Sequence, residues 1–405
     1  MPGNVSQTDQ PPVVVIGKGA NALGVIRSLH GRGVDVFLVV TRRGDAAGYS
    51  RYLRKTLLFP TSEMYAAPDK FLEFLEKEVP AGSVVIPAGD PPMLWISMHR
   101  QKIRERYLVH CLREGLAESI LNKNTQIEML ESTGVDFPVT LFGIDGDTGG
   151  GQFDNREKLL AMDWPVIIKP TVAEYVRHIG KNVILRSRAE ADSFVAKHAA
   201  ILSHLQAQEF IPGDDRHLWV CNCFFDEHSR LKQAFTFQRL GLWPAHRGTT
   251  SYAISVANEE VCALSQKIGR DWGFTGPGMF EFKYDERKSV YRYLELNPRL
   301  GQCNWFDCCC GIDNVWYLYL LSQGQPLPGG IPRQRDGVVC HSLLADIHAR
   351  LKDRQSFFSI ARLYMRDLFK PHVGQFFSLY DPLPAFVASV YAAKKFLGFV
   401  PQYNR

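Results

Sequence analysis

Glu295 and Asn297 stand two residues apart in the run Tyr293-Leu-Glu-Leu-Asn297. In a strand that spacing puts both on one face and sends Leu294 and Leu296 to the other. A carboxylate and an amide oxygen are hard ligands that Mg2+ or Mn2+ accept, with phosphate oxygens and water completing the shell. Glu281, in Gly278-Met-Phe-Glu281-Phe-Lys-Tyr, offers a further acid on the strand before, enough for two ions to share. An alternating strand with leucines in the core and charges in water would read the same way. Pro298-Arg299 argues against it, because a proline ends the ladder at once and aims the arginine into the site.

This reading carries a geometric condition. Directly opposed residues share a face, so Glu281 and Glu295 converge only if the numbers of opposed residues sum to an even value. A regular hairpin pairing Tyr284 with Val290 meets the condition. Pairing Tyr284 with Ser289 turns Glu281 away unless a bulge intervenes.

Cations that could face the same anions lie upstream. Lys169 ends the apolar strand Trp164-Pro-Val-Ile-Ile-Lys169-Pro170, and Lys123 opens a helical pattern in Leu121-Asn-Lys123-Asn-Thr. Between Thr171 and Lys181, with Gly180, the chain reads as a flap that would exclude water from a hydrolysable intermediate. Arg239 and Arg247 lie in the polar stretch between the lysines and the acids, with Arg239 the better placed. Each lysine taken singly is equally a solvated helix start or a snorkelling strand end.

Together, and in this order, these pieces resemble the ATP-grasp superfamily and its carboxylate-amine ligase branch over most of residues 13 to 325. The resemblance implies ATP and Mg2+ (or Mn2+) as cofactors. It makes Lys123 and Lys169 phosphate ligands, and Gln208-Glu209-Phe210-Ile211 the adenine hinge, with Glu209 accepting from the adenine amino group. Asp214 or Asp215 would hold the ribose hydroxyls. Glu281, Glu295 and Asn297 become the metal ligands, while Arg299 and Arg239 face the reacting groups. The implied reaction turns a carboxylate into an acyl phosphate and passes it to an amine, with an amino acid among the small-molecule substrates. Two rivals stay open: a bicarbonate-using carboxylase of the same superfamily, and a nicotinamide-dependent oxidoreductase. The second rests on Gly17-Lys-Gly-Ala-Asn-Ala22, which fits G-x-G-x-x-A between a strand and a helix. A non-catalytic nucleotide-binding regulator is the least economical reading.

The elements that must position these groups can be read in outline. Val13 to Ile16, the helical pattern through Leu23, Ile26 and Leu29, the run Val34 to Val40 and Val84 to Pro87 predict an open parallel-sheet α/β domain over residues 1–110, with a long helix from Met93 to Leu112. Strands at Trp164 to Pro170, Asn182 to Arg186, Ala207 to Ile211, His217 to Phe225, Gln233 to Gln238, Gly278 to Tyr284 and Ser289 to Asn297 predict an α+β unit over 111–330. By the resemblance this is the ATP-grasp domain, with a lid over about 125–205 and a catalytic core over about 206–330. Residues 331–405 read as a helical, basic extension with helices at Ser356 to Leu368 and Pro384 to Leu397.

Composition agrees with a folded enzyme-sized chain: 405 residues, 45% hydrophobic and 22% charged, exclude a disordered or fibrous protein. The formal net charge is +5, and residues 331–405 hold eleven Lys/Arg against five Asp/Glu, so the remainder is near neutral and gives no case for nucleic acid. The nine cysteines include Cys308-Cys309-Cys310 but no Cys-x-x-Cys pair of a zinc site, and read as reduced thiols. No stretch is apolar for long enough to span a bilayer, and the opening residues lack a signal-peptide pattern, which predicts a cytoplasmic protein. Lys394 and Lys395 beside Phe396 and Phe399 would suit an anionic membrane surface; helices packed on the enzyme core with lysines in water are the simpler reading. A homo-oligomer is compatible with all of this.

Overall fold

The computed structural model describes residues 10–142, 155–171, 176–180, 182–246 and 248–396. The chain begins with β1 (Val13–Gly17), β2 (Val36–Val40), β3 (Lys55–Leu58) and β4 (Val84–Ala88), which form one parallel sheet in the order β3-β2-β1-β4. β1, β2 and β4 are buried on both faces, which is why each is an unbroken apolar run. The edge strand β3 buries little besides Leu57, and its sequence carries no comparable signal. Gly17 ends β1 where a Cβ would lie 2.6 Å from the Ala88 carbonyl oxygen, so the glycine allows β1 and β4 to close together.

The long helix expected from Met93 to Leu112 is instead two short ones, Asp90–Met98 and Arg100–Arg104. The chain must leave the helix early because Leu108 bridges in parallel to Val84 and its carbonyl receives the Val85 amide at 2.8 Å.

A second sheet holds β5 (Thr140–Phe142), β6 (Val166–Pro170), β7 (Val183–Leu185) and β8 (Leu205–Glu209) in the order β5-β8-β6-β7. Its core of Val166, Ile168, Leu185, Leu205 and Ala207 is separate from the other clusters and is backed by Phe194 and Val195 from the Arg188–Lys197 helix.

The third and largest sheet contains β9 (Leu218–Phe225), β10 (Leu231–Trp243), β11 (Thr249–Ser255), β12 (Gly276–Asp285), β13 (Val290–Asn297), β14 (Val339–His341) and β15 (His372–Gly374). Their order is β13-β12-β9-β10-β11-β14-β15. The helices Phe357–Asp367 and Leu383–Phe396 lie close to the expected bounds, but the last part of the chain is not wholly helical. β14 and β15 extend the large sheet from β11, and at three residues each they are too short for alternation to reveal. The sequence also concealed β11 and the Glu259–Asp271 helix.

The amino-terminal sheet is fastened to the large one by buried polar side chains. The Gly19–His30 helix lies so close to Asn304 that a Cβ at Gly24 would sit 1.6 Å from its Oδ1. There the Asn304 amide donates to the backbone and side-chain oxygens of Asn21 at 2.9 Å, and Asn21 donates to the Leu300 carbonyl at 2.8 Å. All nine cysteines are free thiols.

Candidate nucleotide and metal site

The hairpin of β12 and β13 leaves its turn in the unfavourable register, with Tyr284 opposite Tyr291 and Phe282 opposite Tyr293. A bulge then corrects it. Leu294 is the extra residue, and beyond it Glu281 lies directly opposite Glu295 and Met279 opposite Asn297. The bulge has a packing reason, because it lets Tyr293 and Leu296, three apart, both enter the core beside Phe280 and Phe282. Burial of those four rings and branches leaves Glu281, Glu295 and Asn297 on the opposite face.

β13 is the outer strand of its sheet, and its free side is held by a side chain. Gln126 is buried in the Lys123–Glu131 helix. Its Oε1 accepts from the Leu296 amide at 3.0 Å and from the Tyr293 hydroxyl at 2.8 Å, while its Nε2 donates to the Leu296 carbonyl at 3.0 Å. Gln126 therefore stands in for a missing strand. The helix it belongs to starts at Lys123, so one contact sets both the lysine and the bulged strand.

Charge at the site is arranged in opposition. Arg239, on β10, spans β9 to grip Glu281 through two bonds of 2.6 and 2.7 Å. Burial would lower the Arg239 pKa, but the Glu281 carboxylate outweighs it and the guanidinium is held above its ordinary value. Glu295 is pushed upward by burial and then more strongly downward by Lys123 and Lys169, so it stays a carboxylate below the usual range. Lys169 donates to Gln208 Oε1 at 2.6 Å, and burial, reinforced by the nearby charge of Lys123, lowers its pKa to about 8. Asn297 donates to Glu295 Oε1 at 3.4 Å and accepts from Arg299 at 3.2 Å; Arg299 also donates to Asp90 Oδ1 at 2.7 Å. Asp90, at the start of the helix after β4, brings the amino-terminal domain to the site.

The expected hinge, Gln208-Glu209-Phe210-Ile211, runs from the end of β8 toward β9. One expectation is revised. The Glu209 carboxylate is engaged by Arg292 at 2.9 Å, Arg287 at 2.8 Å and the Val139 amide at 3.3 Å, so the side chain fixes the hinge rather than facing outward for a base. Any acceptor from Glu209 would have to come from its backbone. Asp214 is occupied by the Arg216 amide and guanidinium and by His217, and Asp215 by His246. Lys283, which the sequence reading passed over, shares the β12 face of Glu281. It donates to the Ile211 and Gly213 carbonyls at 2.7 and 2.9 Å, and lies 5.1 Å from the Phe210 ring centroid. The signal was present as Glu281-Phe-Lys283, where alternation puts both charges on one side. Arg247 and much of the Thr171 to Lys181 flap lie outside the described residues.

The donor set suits Mg2+. Among the described residues no three His, Cys, Asp or Glu side chains converge as a ready metal cage. Two opposed carboxylates and an amide oxygen instead match an ion that keeps water and takes the rest of its shell from phosphate oxygens. The surrounding cations, Lys123, Lys169, Arg239 and Lys283, outnumber the two glutamates, as a polyphosphate requires.

The first glycine turn is arranged differently. The Gly19 amide, at the helix N-terminus, donates to Asp45 Oδ1 at 2.8 Å. A carboxylate therefore occupies the place a pyrophosphate would need.

The two sheets that bring Lys169 toward Glu295, preceded by an open parallel-sheet domain, give the chain an ATP-grasp fold, an α/β domain joined to an α+β unit. The biotin carboxylase domain of a Hydrogenobacter thermophilus 2-oxoglutarate carboxylase, solved with MgADP and bicarbonate, superposes with a TM-score of 0.63 at 14% identity, over 82% of this chain and 74% of that one. An L-amino acid ligase from Bacillus licheniformis gives 0.57 at 14% identity over 78% and 74%. No family model matches the sequence. Among curated proteins, a D-aspartate ligase of Enterococcus faecium is 28% identical over 239 residues, 57% of this chain and 56% of that protein, so the match spans just over half of each.

Proposed function

We propose that the protein is an ATP-dependent carboxylate-amine ligase that forms an amide or peptide bond through an acyl phosphate, releasing ADP and phosphate. The observation that carries this is the direct opposition of Glu281 and Glu295, with Asn297, beneath Lys123, Lys169 and Arg239. A carboxylate is a poor electrophile, since its charge repels nucleophiles and oxide is a poor leaving group. Phosphorylation removes both obstacles, but it brings two anions together, and the cations of this site supply the compensating charge.

Glu281, Glu295 and Asn297 would hold Mg2+, which would supply positive charge to offset that of the phosphates. Lys123 and Lys169 orient the phosphates, and Lys283 steadies the hinge that receives the base. Arg239 and Arg299 face the reacting carboxylate, which attacks the γ-phosphorus as ADP departs. The neutral amine then attacks the acyl carbon, phosphate leaves, and the amine proton passes to solvent or phosphate. No nucleophilic side chain is required. The protein contributes alignment and exclusion of water.

An amino acid is the favoured substrate, and the name of the Enterococcus relative makes D-aspartate the first to try. Bicarbonate as the carboxylate is the second reading, supported by the likeness to the biotin carboxylase domain. The use of ATP supports a cytoplasmic setting for the reaction. No helix of the described residues is long and apolar enough to cross a membrane. The test is ADP release with Mg2+-ATP against amino acids, singly and in pairs, with bicarbonate as a separate arm. Turnover that depends on an amino-acid pair and vanishes in Glu295→Ala supports the ligase. Turnover that follows bicarbonate and ignores amines overturns it.

A further inference from the structure

The apolar side chains that the fold leaves outside are gathered in the last part of the chain. Among the described residues, every strongly exposed large hydrophobic lies between Ile331 and Val390 except Tyr49, Tyr65, Met98 and Val139. Phe357, Phe358, Leu379 and Phe369 are 75%, 85%, 81% and 94% exposed. Single exposed hydrophobics need no explanation, but a concentration of aromatic ones marks a contact surface.

The Phe357–Asp367 helix is amphipathic in the reverse of the usual sense. Ile360 and Asp367 are buried against the protein. At about 100° per residue, Phe357, Phe358 and Met365 fall within about 100° of one another on the outer side, with Arg362 and Arg366 adjoining them. Phe369 continues the surface just past the helix. On the Leu383–Phe396 helix the exposed residues Phe386, Val390 and Lys394 follow at intervals of four, an apolar line ending in a cation.

Charge selects the occupant. Three of the acids in this part of the chain are buried and bonded to cations: Asp346 to Arg350, Asp367 to Arg366 and Lys370, and Asp381 to Arg27. These pairs cancel, and the excess of eleven Lys/Arg over five Asp/Glu in residues 331–405 leaves the outward field positive. A second copy on a twofold axis would bring these like charges together, and interface cores are poor in charge. Aromatic anchors bordered by arginine and lysine suit instead the boundary of acyl chains and anionic headgroups.

We propose that these exposed apolar surfaces dock peripherally on an anionic lipid bilayer, with the phenylalanines at the acyl boundary and Arg362 and Lys394 among the headgroups. The inference is independent of the ligase reading. The test is flotation of the full chain with vesicles of phosphatidylcholine alone or mixed with phosphatidylglycerol. Expected are binding to the mixed vesicles at low salt, little to phosphatidylcholine, and weakening as salt rises. Arg362→Gln/Lys394→Gln should bind about tenfold or more weakly, and Phe357→Ser/Phe358→Ser/Phe369→Ser not at all. Both variants should keep the wild-type melting temperature and ATP affinity, since none of these side chains supports the core. Failure of the wild type to float with the anionic vesicles overturns the proposal. So does a dimer in dilute solution that the triple phenylalanine variant splits, since the face would then be covered by a second copy.

Discussion

At the end of β1 the helix amide of Gly19 is already closed by the Asp45 carboxylate, whereas at the end of β13 two carboxylates face lysines and arginines that outnumber them. Both regions carry a familiar spacing of residue types. Only the second has the electrostatic sign a nucleotide needs. A phosphate brought to Gly19 would meet a negative charge a bond length from its donor. The same phosphate brought to the hairpin would meet Lys123, Lys169 and Arg239. What separates a binding turn from a structural one is the charge of the neighbour that satisfies it.

The comparison breaks most easily at Glu295. Glu295→Ala should lower ADP release by about a hundredfold or more while the protein still folds; activity near wild type would remove the metal assignment. Next is the support behind the hairpin. Gln126→Leu leaves the Leu296 amide and carbonyl without partners and should cost about 2–3 kcal/mol in urea unfolding, with turnover falling as the bulge loosens. An unchanged unfolding midpoint would show that the strand holds its own register.

The pH dependence sharpens the same contrast. Lys169 has a pKa of about 8, lowered from that of an unfolded lysine, so folding favours its neutral form and stability rises as pH climbs from about 8 toward the unfolded value. Bound phosphate favours the charged form. ATP affinity should therefore fall by up to about tenfold per pH unit above about 8, and Lys169→Met should flatten that slope in a binding titration. The smallest effect is expected at Asp45. Asp45→Ala should cost about 1 kcal/mol, as for a lost helix cap, and create no NADH fluorescence signal. Appearance of NADH binding in that variant would revive the dinucleotide reading of the first turn.

How much of this was legible varied with the scale of the signal. Glu281, Glu295 and Asn297 were found because alternation is a local property and Pro298-Arg299 marks where it stops. The bulge at Leu294 was not readable, since it is driven by Tyr293 and Leu296 both seeking the same core. The engagement of Glu209 depends on Arg287 and Arg292, about eighty positions away, and no spacing rule reaches that far. β1, β2 and β4 were evident as apolar runs, while β11, β14 and β15 lie in segments too short or too polar to stand out.

The two short strands of the last part of the chain also bear on how the molecule tolerates being cut. Because β14 caps β11, and β15 caps β14, removing everything after Gly330 would uncover the mostly buried β11 and leave unpaired the side it offers to β14 at Tyr252, Ala253 and Ile254. Such an edge is a template for pairing with its like. A shortened gene product should accumulate as insoluble aggregates rather than as a trimmed enzyme, and trypsin should spare the links around β14 in the intact protein for the same reason.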